Sequence, residues 1–414
     1  MLSTAMHHHP SAFLLALLPA LCPLGRAQTA PGLLGLTRTT PVLLWQDPAA
    51  CTTQRCLPAM PNAAGVPAFA GGTAWDPTRS AVWVTNGKQL GLFAAATCTT
   101  LCPPFALPMP DPATGLAFLR SRGLLLVSDA QNRLTVCKPA CGTLTVQNQC
   151  QAFSPGANQF VIGGLAVSEV RDLVFYAASN WLPTVPPGPT LFVAKPATPC
   201  QYFCKIAIPA CATASLGPIS GAAYDECGDL VWVTDGQVAV ALRCNLTTCT
   251  AQVAACCRLP TVAEPWIGLC MQPSPPLSSG QSCTAPACPS CPALRHGLLG
   301  DPVLGNPSFA LQLAGAPANA QAFVVLNIGR CGGGLTLPPF CGPLLVPLQP
   351  SPLLLGGFPT GGSIACTGTA VAGLPIPPNP AFCGAVLSSQ YLALCPAAAG
   401  FGTAVSNCLS WTIE

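Results

Sequence analysis

Four oxygen-bearing side chains occupy matching places in a repeated part of the chain, each at the end of an apolar run: Asn86, Asp129, Asn180 and Asp235. Carboxylate and amide oxygens are the ligands that hard cations such as calcium prefer. If the repeats surround a common axis, equivalent positions lie on one ring, so these residues are candidate ligands of a calcium ion. The alternative is that they form β-turns, which Asn and Asp favour.

Residues for acid–base or nucleophilic catalysis are scarce. His296 is the only histidine after residue 9, so a Ser-His-Asp or Cys-His unit would depend on it. It stands at a predicted junction between domains, where we expect a solvated side chain. Asp225, Glu226 and Asp229 form the only acidic cluster, and we expect a solvated turn there. We therefore assign no catalytic residue and expect a protein without enzymatic activity.

Cysteine is the most informative residue type, with 26 in the chain and 25 beyond residue 27. In an exported chain the expected use of so many cysteines is a disulfide framework. A bond within a close pair closes a very short loop, whereas a bond to a third cysteine of the same copy would join two strands and contribute about 2–4 kcal/mol. The third cysteines are Cys150, Cys211 and either Cys256 or Cys257. The odd count leaves at least one thiol free or available for a bond between chains. The disulfide candidates are Cys51, Cys56, Cys98, Cys102, Cys137, Cys141, Cys150, Cys200, Cys204, Cys211, Cys244, Cys249, Cys256 and Cys257.

The elements that position these residues come from the repeat, which residues 220–249 show most clearly. Gly221 opens it, two apolar runs follow, and Cys244 and Cys249 close it. Earlier copies open at Gly72, Gly115 and Gly164, so that the four openings are 43, 49 and 57 residues apart. Each copy has room for about four short strands, and a period in the forties with four strands is the signature of a β-propeller blade.

The ends of the repeated region predict how the ring closes. Residues 41–56 resemble the second half of a copy without its first half, and residues 267–271 resemble an opening strand without its remainder. If both ends contribute strands to one blade, the propeller has about five blades. A sixth blade is the alternative if residues 60–70 or 256–266 contain further strands, and a β-sandwich or solenoid is the alternative if the repeats are coincidental. We thus predict an all-β protein: a signal peptide at 1–27, a disulfide-rich β-propeller at 28–271, a Pro/Ser/Cys linker at 272–293 and an antiparallel β-sandwich at 294–414.

Two motifs carry a resemblance to known propellers. Val82-Trp-Val-Thr-Asn-Gly87 and Val231-Trp-Val-Thr-Asp-Gly236 resemble the motif of the YVTN and NHL-type extracellular propellers. The resemblance implies extracellular binding. Propeller lactonases hold a metal in their central channel through carboxylate and amide ligands. The candidate ring of Asn86, Asp129, Asn180 and Asp235 is similar to such a site, which implies an alternative function, a metal-dependent hydrolase of the lactonase kind. Residues 305–320 resemble the C-terminal β domains of large secreted bacterial proteins, which implies a role in export or surface display.

Composition excludes two classes of partner. Without the signal, which contains Arg26, the net charge falls from +3 to +2, too little for the basic face that nucleic acid requires. No window after the N-terminus offers 18 uninterrupted apolar residues, so no membrane span is predicted. The sequence favours an exported, disulfide-stabilised, non-enzymatic binding or scaffold protein, with a protein or glycan on the cell surface as partner and no cofactor unless calcium is bound. A third interpretation is a structural envelope component whose odd cysteine links chains.

Overall fold

The computed structural model describes residues 32–37, 43–46, 53–56, 60, 70–95, 97–153, 160–180, 188–211, 216–259, 265–284, 291, 294–336, 340–362, 364, 366–397 and 400–414. For residues 43–46, 53–56, 180, 395–397, 400 and 401 it describes the backbone alone. The described chain divides into two compact units, Thr29–Pro273 and Ser274–Glu414. The predicted signal peptide lies outside the described residues.

The all-β prediction is confirmed. Apart from two short 3-10 turns, Arg120–Arg122 and Pro380–Phe382, the regular elements of the described chain are strands. None of the described segments is a helix with the length and apolar character needed to cross a membrane. The many Pro and Gly residues favour this outcome, because they interrupt helices and supply turns.

The described residues of the first unit form five four-stranded antiparallel sheets. Sheet 1 contains β1 (Gly32–Thr37), β2 (Leu43–Gln46), β3 (Thr53–Cys56) and, paired with β1, β20 (Trp266–Gln272). Sheet 2 contains β4 (Gly72–Asp76), β5 (Ala81–Thr85), β6 (Gln89–Ala94) and β7 (Thr100–Ala106). Sheet 3 contains β8 (Ala113–Leu119), β9 (Leu124–Asp129), β10 (Arg133–Ala140) and β11 (Thr143–Gln151). Sheet 4 contains β12 (Phe160–Ser168), β13 (Leu173–Asn180), β14 (Thr190–Lys195) and β15 (Thr198–Ala207). Sheet 5 contains β16 (Gly221–Asp225), β17 (Leu230–Thr234), β18 (Val238–Asn245) and β19 (Thr250–Arg258).

Sheet 1 is built from both ends of the unit. β20 comes last in the chain of this unit, yet it pairs antiparallel with β1, so that Leu33 lies opposite Met271 and Leu36 opposite Ile267. This is the shared sheet expected from the incomplete first and last copies. Separating the two ends therefore requires breaking a sheet.

A glycine in each first strand packs against the next sheet. The first strands β4, β8, β12, β16 and β20 contact one another in a closed cycle. A Cβ atom at Gly164 would lie 2.4 Å from the backbone nitrogen of Ala222, and one at Gly268 would lie 2.5 Å from the backbone nitrogen of Thr73. Only a residue without a side chain permits such an approach of two backbones. The cycle consists of Gly72, Gly115, Gly164, Gly221 and Gly268. At the other three positions a Cβ would lie 3.0 Å (Gly72), 3.2 Å (Gly115) and 2.7 Å (Gly221) from the backbone of the next first strand.

Apolar side chains fill the spaces between neighbouring sheets. Between sheets 4 and 5, Phe175 stacks on Tyr224 with ring centroids 5.3 Å apart. Between sheets 5 and 1, Leu33 packs in one cluster with Trp232 and Trp266. Both faces of a sheet are therefore buried, and the first strands are almost completely inaccessible to water. This burial stabilises the ring because apolar area leaves water on both sides of each sheet.

The second unit has two sheets. Its strands are β21 (Leu277–Ser279), β22 (Cys283–Thr284), β23 (Arg295–Leu299), β24 (Ala310–Ala316), β25 (Gln321–Ile328), β26 (Leu353–Pro359), β27 (Gly368–Gly373), β28 (Val386–Ala397) and β29 (Gly400–Thr412). The larger sheet has the order β21-β29-β28-β25-β26, with β22 also on β29, and the smaller has the order β23-β24-β27. Tyr391 of the larger sheet donates a hydrogen bond to the carbonyl of Leu311 in the smaller, at 2.7 Å. The two sheets are thus in contact through buried side chains.

Part of the predicted linker at 272–293 belongs to the second unit. β21 and β22 pair with β29, so that Leu277 lies opposite Ser410 and Cys283 opposite Val405. The bond Cys283–Cys341 fixes this segment. The Pro- and Ser-rich composition predicted a connection, but the free edge of β29 supplied backbone partners that composition does not reveal.

The glycine cycle predicts a sharp cost for one added methyl group. We expect Gly164→Ala to lower the free energy of unfolding by about 1–3 kcal/mol or more, because its Cβ would overlap the backbone of β16. Gly188→Ala is the matched control, since a Cβ at Gly188 meets no atom within 4 Å. Urea unfolding followed by tryptophan fluorescence measures both. Equal stability of the two variants would contradict backbone-to-backbone packing at the axis.

Candidate functional site

The predicted metal ligands lie at equivalent turns between second and third strands. In sheet 2, the side-chain oxygen of Asn86 accepts hydrogen bonds from the backbone nitrogens of Lys88 (3.0 Å) and Gln89 (2.8 Å). In sheet 5, Oδ1 of Asp235 accepts from the backbone nitrogens two and three residues ahead, both at 2.8 Å, and Oδ2 accepts from the nitrogen of Gly217 at 2.8 Å. These oxygens close turns, as the alternative interpretation expects.

The side-chain oxygens of Asp129 also accept hydrogen bonds. Asp129 is fully buried, and its two oxygens accept hydrogen bonds from the backbone nitrogen of Arg133 (3.0 Å) and from the guanidinium Nε of that residue (2.7 Å). The hydrogen bond to Asp129 raises the pKa of the Arg133 guanidinium. Asn180 ends β13, and its side chain lies outside the described atoms. Within the described residues, no three His, Cys, Asp or Glu side chains come close enough to hold a metal. The calcium site stays a prediction.

Disulfide bonds join successive sheets at their outer strands. Cys102 of β7 bonds to Cys141, beyond β10 in sheet 3, and Cys150 of β11 bonds to Cys200 of β15 in sheet 4. Two further bonds, Cys204–Cys249 and Cys211–Cys256, connect sheet 4 to sheet 5. Each bond spans 39 to 50 residues, about one repeat. We call these four bonds the disulfide belt.

The belt differs from the predicted pairing within copies. Cys200 bonds back to sheet 3 and Cys204 bonds forward to sheet 5, although only three residues separate them. The thiols of Cys137 and Cys244 are free and buried, and burial raises the pKa of each to about 11. The reason is positional: these two face a sheet-to-sheet core, whereas cysteines at the turns and outer strands reach a neighbouring sheet. Cys98 is disulfide-bonded and Cys257 is buried, while the side chains of Cys51 and Cys56 lie outside the described atoms.

A network of charged side chains covers one face of the propeller, at the turns between first and second strands. At its centre, Arg120 of sheet 3 donates from Nη2 to Oε1 of Glu226 in sheet 5, at 2.9 Å. Because sheet 4 lies between sheets 3 and 5 in the ring, this ion pair reaches across the turn of sheet 4. Ser168 of sheet 4 donates to the other carboxylate oxygen at 2.9 Å. One carboxylate thus connects three sheets.

Glu226 is buried, which corrects the expectation of a solvated turn. Its side chain is 3% exposed, and that of Arg120 is 14% exposed. Burial raises the pKa of the Glu226 carboxyl, because desolvation penalises the charged form by more than Arg120 and the hydrogen bonds stabilise it. The acidic cluster could be found in the sequence, but its arginine partner, 106 residues away, could not.

Further contacts extend the network over sheets 3, 4 and 5. Ser121 donates from its hydroxyl to Glu169 at 2.6 Å, which connects sheets 3 and 4. Arg171 of sheet 4 donates to Asp229 of sheet 5 at 2.7 Å. We call Arg120, Ser121, Glu169, Arg171, Glu226 and Asp229 the charged face. It presents both signs of charge in fixed positions, which suits recognition of a partner surface.

His296 is buried in the second unit, which corrects the expectation of a solvated linker residue. It lies on β23, 5% exposed, with its ring edge-on to Tyr391 at a centroid distance of 5.0 Å. Nε2 lies 3.4 Å from the hydroxyl of Ser389, and Nδ1 has no hydrogen-bond partner among the described residues. Burial lowers the pKa of His296 to about 4. The sequence showed an isolated histidine but not that its strand joins a sheet.

Comparisons with known proteins give similarity to solved propellers alone. No family model matches the chain, and no curated protein matches it. The WD40 repeats of RRP9 are similar with 11% identity and a TM-score of 0.36, over 55% of this chain and 77% of that chain. The Cps50 (Swd1) β-propeller domain of Myceliophteria thermophila is similar with 9% identity and a TM-score of 0.35, over 57% of this chain and 74% of that chain. A chain of a mitotic checkpoint complex is similar with 9% identity and a TM-score of 0.32, over 57% of this chain. The match spans 63% of the checkpoint chain, less than two thirds of the length of that chain.

The buried ion pair predicts different roles for two neighbouring arginines. We expect Arg120→Ala to lower the free energy of unfolding by about 3–5 kcal/mol, because it leaves the buried Glu226 carboxylate without its cation. Arg122→Ala, in the same 3-10 turn, removes an exposed pair with Asp172 at 4.0 Å and is expected to cost less than about 1 kcal/mol. The Arg120→Ala deficit shrinks in acid, where Glu226 becomes neutral. Equal effects of the two substitutions in urea unfolding would refute the connecting role.

His296 predicts an acid-sensitive second unit. The folded pKa of about 4 lies below the unfolded value of about 6.5, so between these values the unfolded chain binds more protons and stability falls as pH falls. At pH 4.5 the loss amounts to roughly 2–3 kcal/mol relative to pH 7. We expect His296→Gln to lose this component while the carboxylates, unchanged in both proteins, contribute equally. The measurement is urea unfolding of both proteins at the two pH values, and a parallel pH dependence would argue against a buried neutral histidine.

Proposed function

We propose that the protein is an exported, disulfide-stabilised, non-enzymatic scaffold that binds a protein or glycan at the cell surface. The observation that carries the proposal is the disulfide belt. Bonds between residues 39 to 50 positions apart form and persist in an oxidising compartment, whereas the cytosol keeps thiols reduced. The belt therefore favours a location outside the cytoplasm, in agreement with the signal predicted at 1–27.

A binding role follows from rigidity at one face. Successive sheets are fixed to one another at the axis by glycine packing and at the rim by disulfides. The turns of the charged face are held by Glu226 between Arg120 and Ser168. A surface whose side chains are ordered before binding loses little entropy on association. We infer that the charged face is where a protein partner docks.

The finer assignments belong to the same proposal. The YVTN/NHL-like motifs lie on β5 and β17 and their following turns, and they support an extracellular propeller of that type. The two sheets of the second unit support an antiparallel sandwich acting in export or display. Its bonds Cys291–Cys366 and Cys331–Cys408 suit the same oxidising compartment.

The test follows the full chain from synthesis to the cell surface. In a cell that exports it, we expect a mature protein beginning at Gln28, with the four belt bonds recovered by non-reducing peptide mapping. Added to intact cells of its source, this protein should bind saturably. A double charge reversal on the charged face, Arg171→Glu with Glu169→Lys, should weaken binding by about tenfold or more. The reason is that each reversed charge would face a like charge of the partner, and like charges opposed across an interface repel.

The test has one control variant and two results that would contradict the proposal. Lys88→Glu changes an exposed charge at a turn on the opposite face and should leave cell binding unchanged. Retention in the cytosol with reduced thiols would contradict export. Metal-dependent hydrolysis of a lactone, lost in Asp129→Ala and Asp235→Ala, would replace the scaffold proposal by the hydrolase alternative.

A further inference from the structure

Charge is distributed unevenly between the turns and the rim of the propeller. In the described hairpins formed by third and fourth strands, from β6–β7 to β18–β19, every charged residue is basic. These are Arg133, Lys138, Lys195, Lys205, Arg243 and Arg258. Arg133 and Lys195 contact aspartates, whereas the other four are exposed and form no ion pair with a described residue. The described rim of sheets 2 to 5 therefore carries uncompensated positive charge although the chain is nearly neutral.

One point on this rim combines the charge with exposed aromatic surface. Tyr202 of β15 is 45% exposed, and its ring lies 6.0 Å from that of Phe153 and 5.0 Å from that of Phe192. The ammonium group of Lys205, three residues further on, lies 5.4 Å from the ring centroid of Phe160 and 5.8 Å from that of Phe192. Cation–π attraction therefore holds a free positive charge beside a partly exposed tyrosine.

The neighbouring sheet supports this point of the rim. β11 and β15 contact each other and are joined by Cys150–Cys200. Phe153 follows β11, and its ring lies 4.5 Å from that of Phe192. We call Phe153, Tyr202 and Lys205 the rim site. Because a disulfide and an aromatic cluster support it, its aromatic rings are positioned in the free protein.

We propose that the rim site binds an acidic polysaccharide through one uronic acid residue. The apolar face of a pyranose ring suits the exposed face of Tyr202, and the carboxylate suits the ammonium of Lys205. The other rim cations attract further carboxylates of the same chain. This inference names a ligand class for the surface-binding role proposed above and rests on it.

The size and charge of the site favour a sugar over other partners. A protein partner needs about 800 Å² of contact on each side, whereas the rim site offers a few side chains. A nucleic acid duplex needs a dense array of cations to displace its counterions, and the described part of the rim has four unpaired cations spread over three sheets. A uronic acid polymer has a lower charge density than such a duplex and an apolar ring face, which fits both observations.

The experiment is a calorimetric titration of the mature full chain with oligogalacturonate at low salt. We expect binding to oligogalacturonate, little binding to its methyl ester, and none to oligothymidylate at the same concentration. Tyr202→Ala and Lys205→Gln should each weaken binding by about tenfold or more, while Lys205→Arg retains it. Leu101→Ala and Lys88→Gln are matched controls, an exposed apolar rim residue and an exposed lysine away from the site. Unchanged thermal midpoints establish that the variants are folded.

Several outcomes would overturn the inference: no binding to oligogalacturonate at millimolar concentration, equal binding of the ester or of oligothymidylate, or indifference to both rim substitutions. Its failure is distinguishable from failure of the surface-binding proposal. If intact cells bind the protein and the rim variants equally well, the scaffold proposal stands and the rim inference falls. If the protein binds oligogalacturonate but does not bind intact cells, the rim inference stands and the scaffold proposal falls.

Discussion

The propeller depends on the close approach of five backbones at its axis. Each first strand carries a glycine whose Cα rests against the next first strand, and the cycle returns from Gly268 to Gly72. A hydrogen atom in place of a side chain is what allows each sheet to follow the last at the required spacing. The wider outer strands then diverge, and larger side chains such as Phe175 and Tyr224 fill the spaces between sheets. The axis thus sets the geometry from which the rim and the turns follow.

The ring is stabilised in two regions, at its axis and at its rim. At the axis the strands are held by packing and by the β1–β20 pairing, in which backbone hydrogen bonds join the two ends of the unit. At the rim, where neighbouring sheets are farther apart and packing is weaker, disulfide bonds connect them. A bond closing a loop of about 45 residues removes entropy from the unfolded chain and at the same time fixes two sheets relative to each other. Covalent links therefore occur where side-chain packing contributes least.

The repeat could be predicted because its features lie close together in the sequence. The disulfide pairs and the ion pair could not be predicted because their partners lie far apart in the sequence. Opening glycines, strand length and period all lie within one copy, so the all-β propeller class followed from them, as did the joining of both ends in sheet 1. Disulfide connectivity and the Arg120–Glu226 pair involve partners at least 39 residues apart, and nothing in either partner's surroundings identifies the other. The same limit applies to His296, whose burial depends on strands more than 80 residues further on. Local composition predicted a solvated His296, and this prediction was wrong because long-range strand pairing buries the side chain.

The segregation of charge gives the two surfaces of the propeller different uses. The described acidic residues of the propeller lie in turns or at the last position of a strand. Their oxygens accept hydrogen bonds from backbone nitrogens and arginines, as those of Asp235 and Glu226 do. These turn carboxylates fix loops, so the face they form is rigid and of mixed charge. The third and fourth strands lack acids and keep Lys205 unpaired over aromatic rings. An unpaired cation held in place has no structural partner to satisfy, and its electrostatic attraction is directed outward. Rigid turns suit a shaped protein partner, whereas a basic rim with an exposed aromatic ring suits an extended anionic chain, so the two proposed partners would meet different surfaces of the propeller.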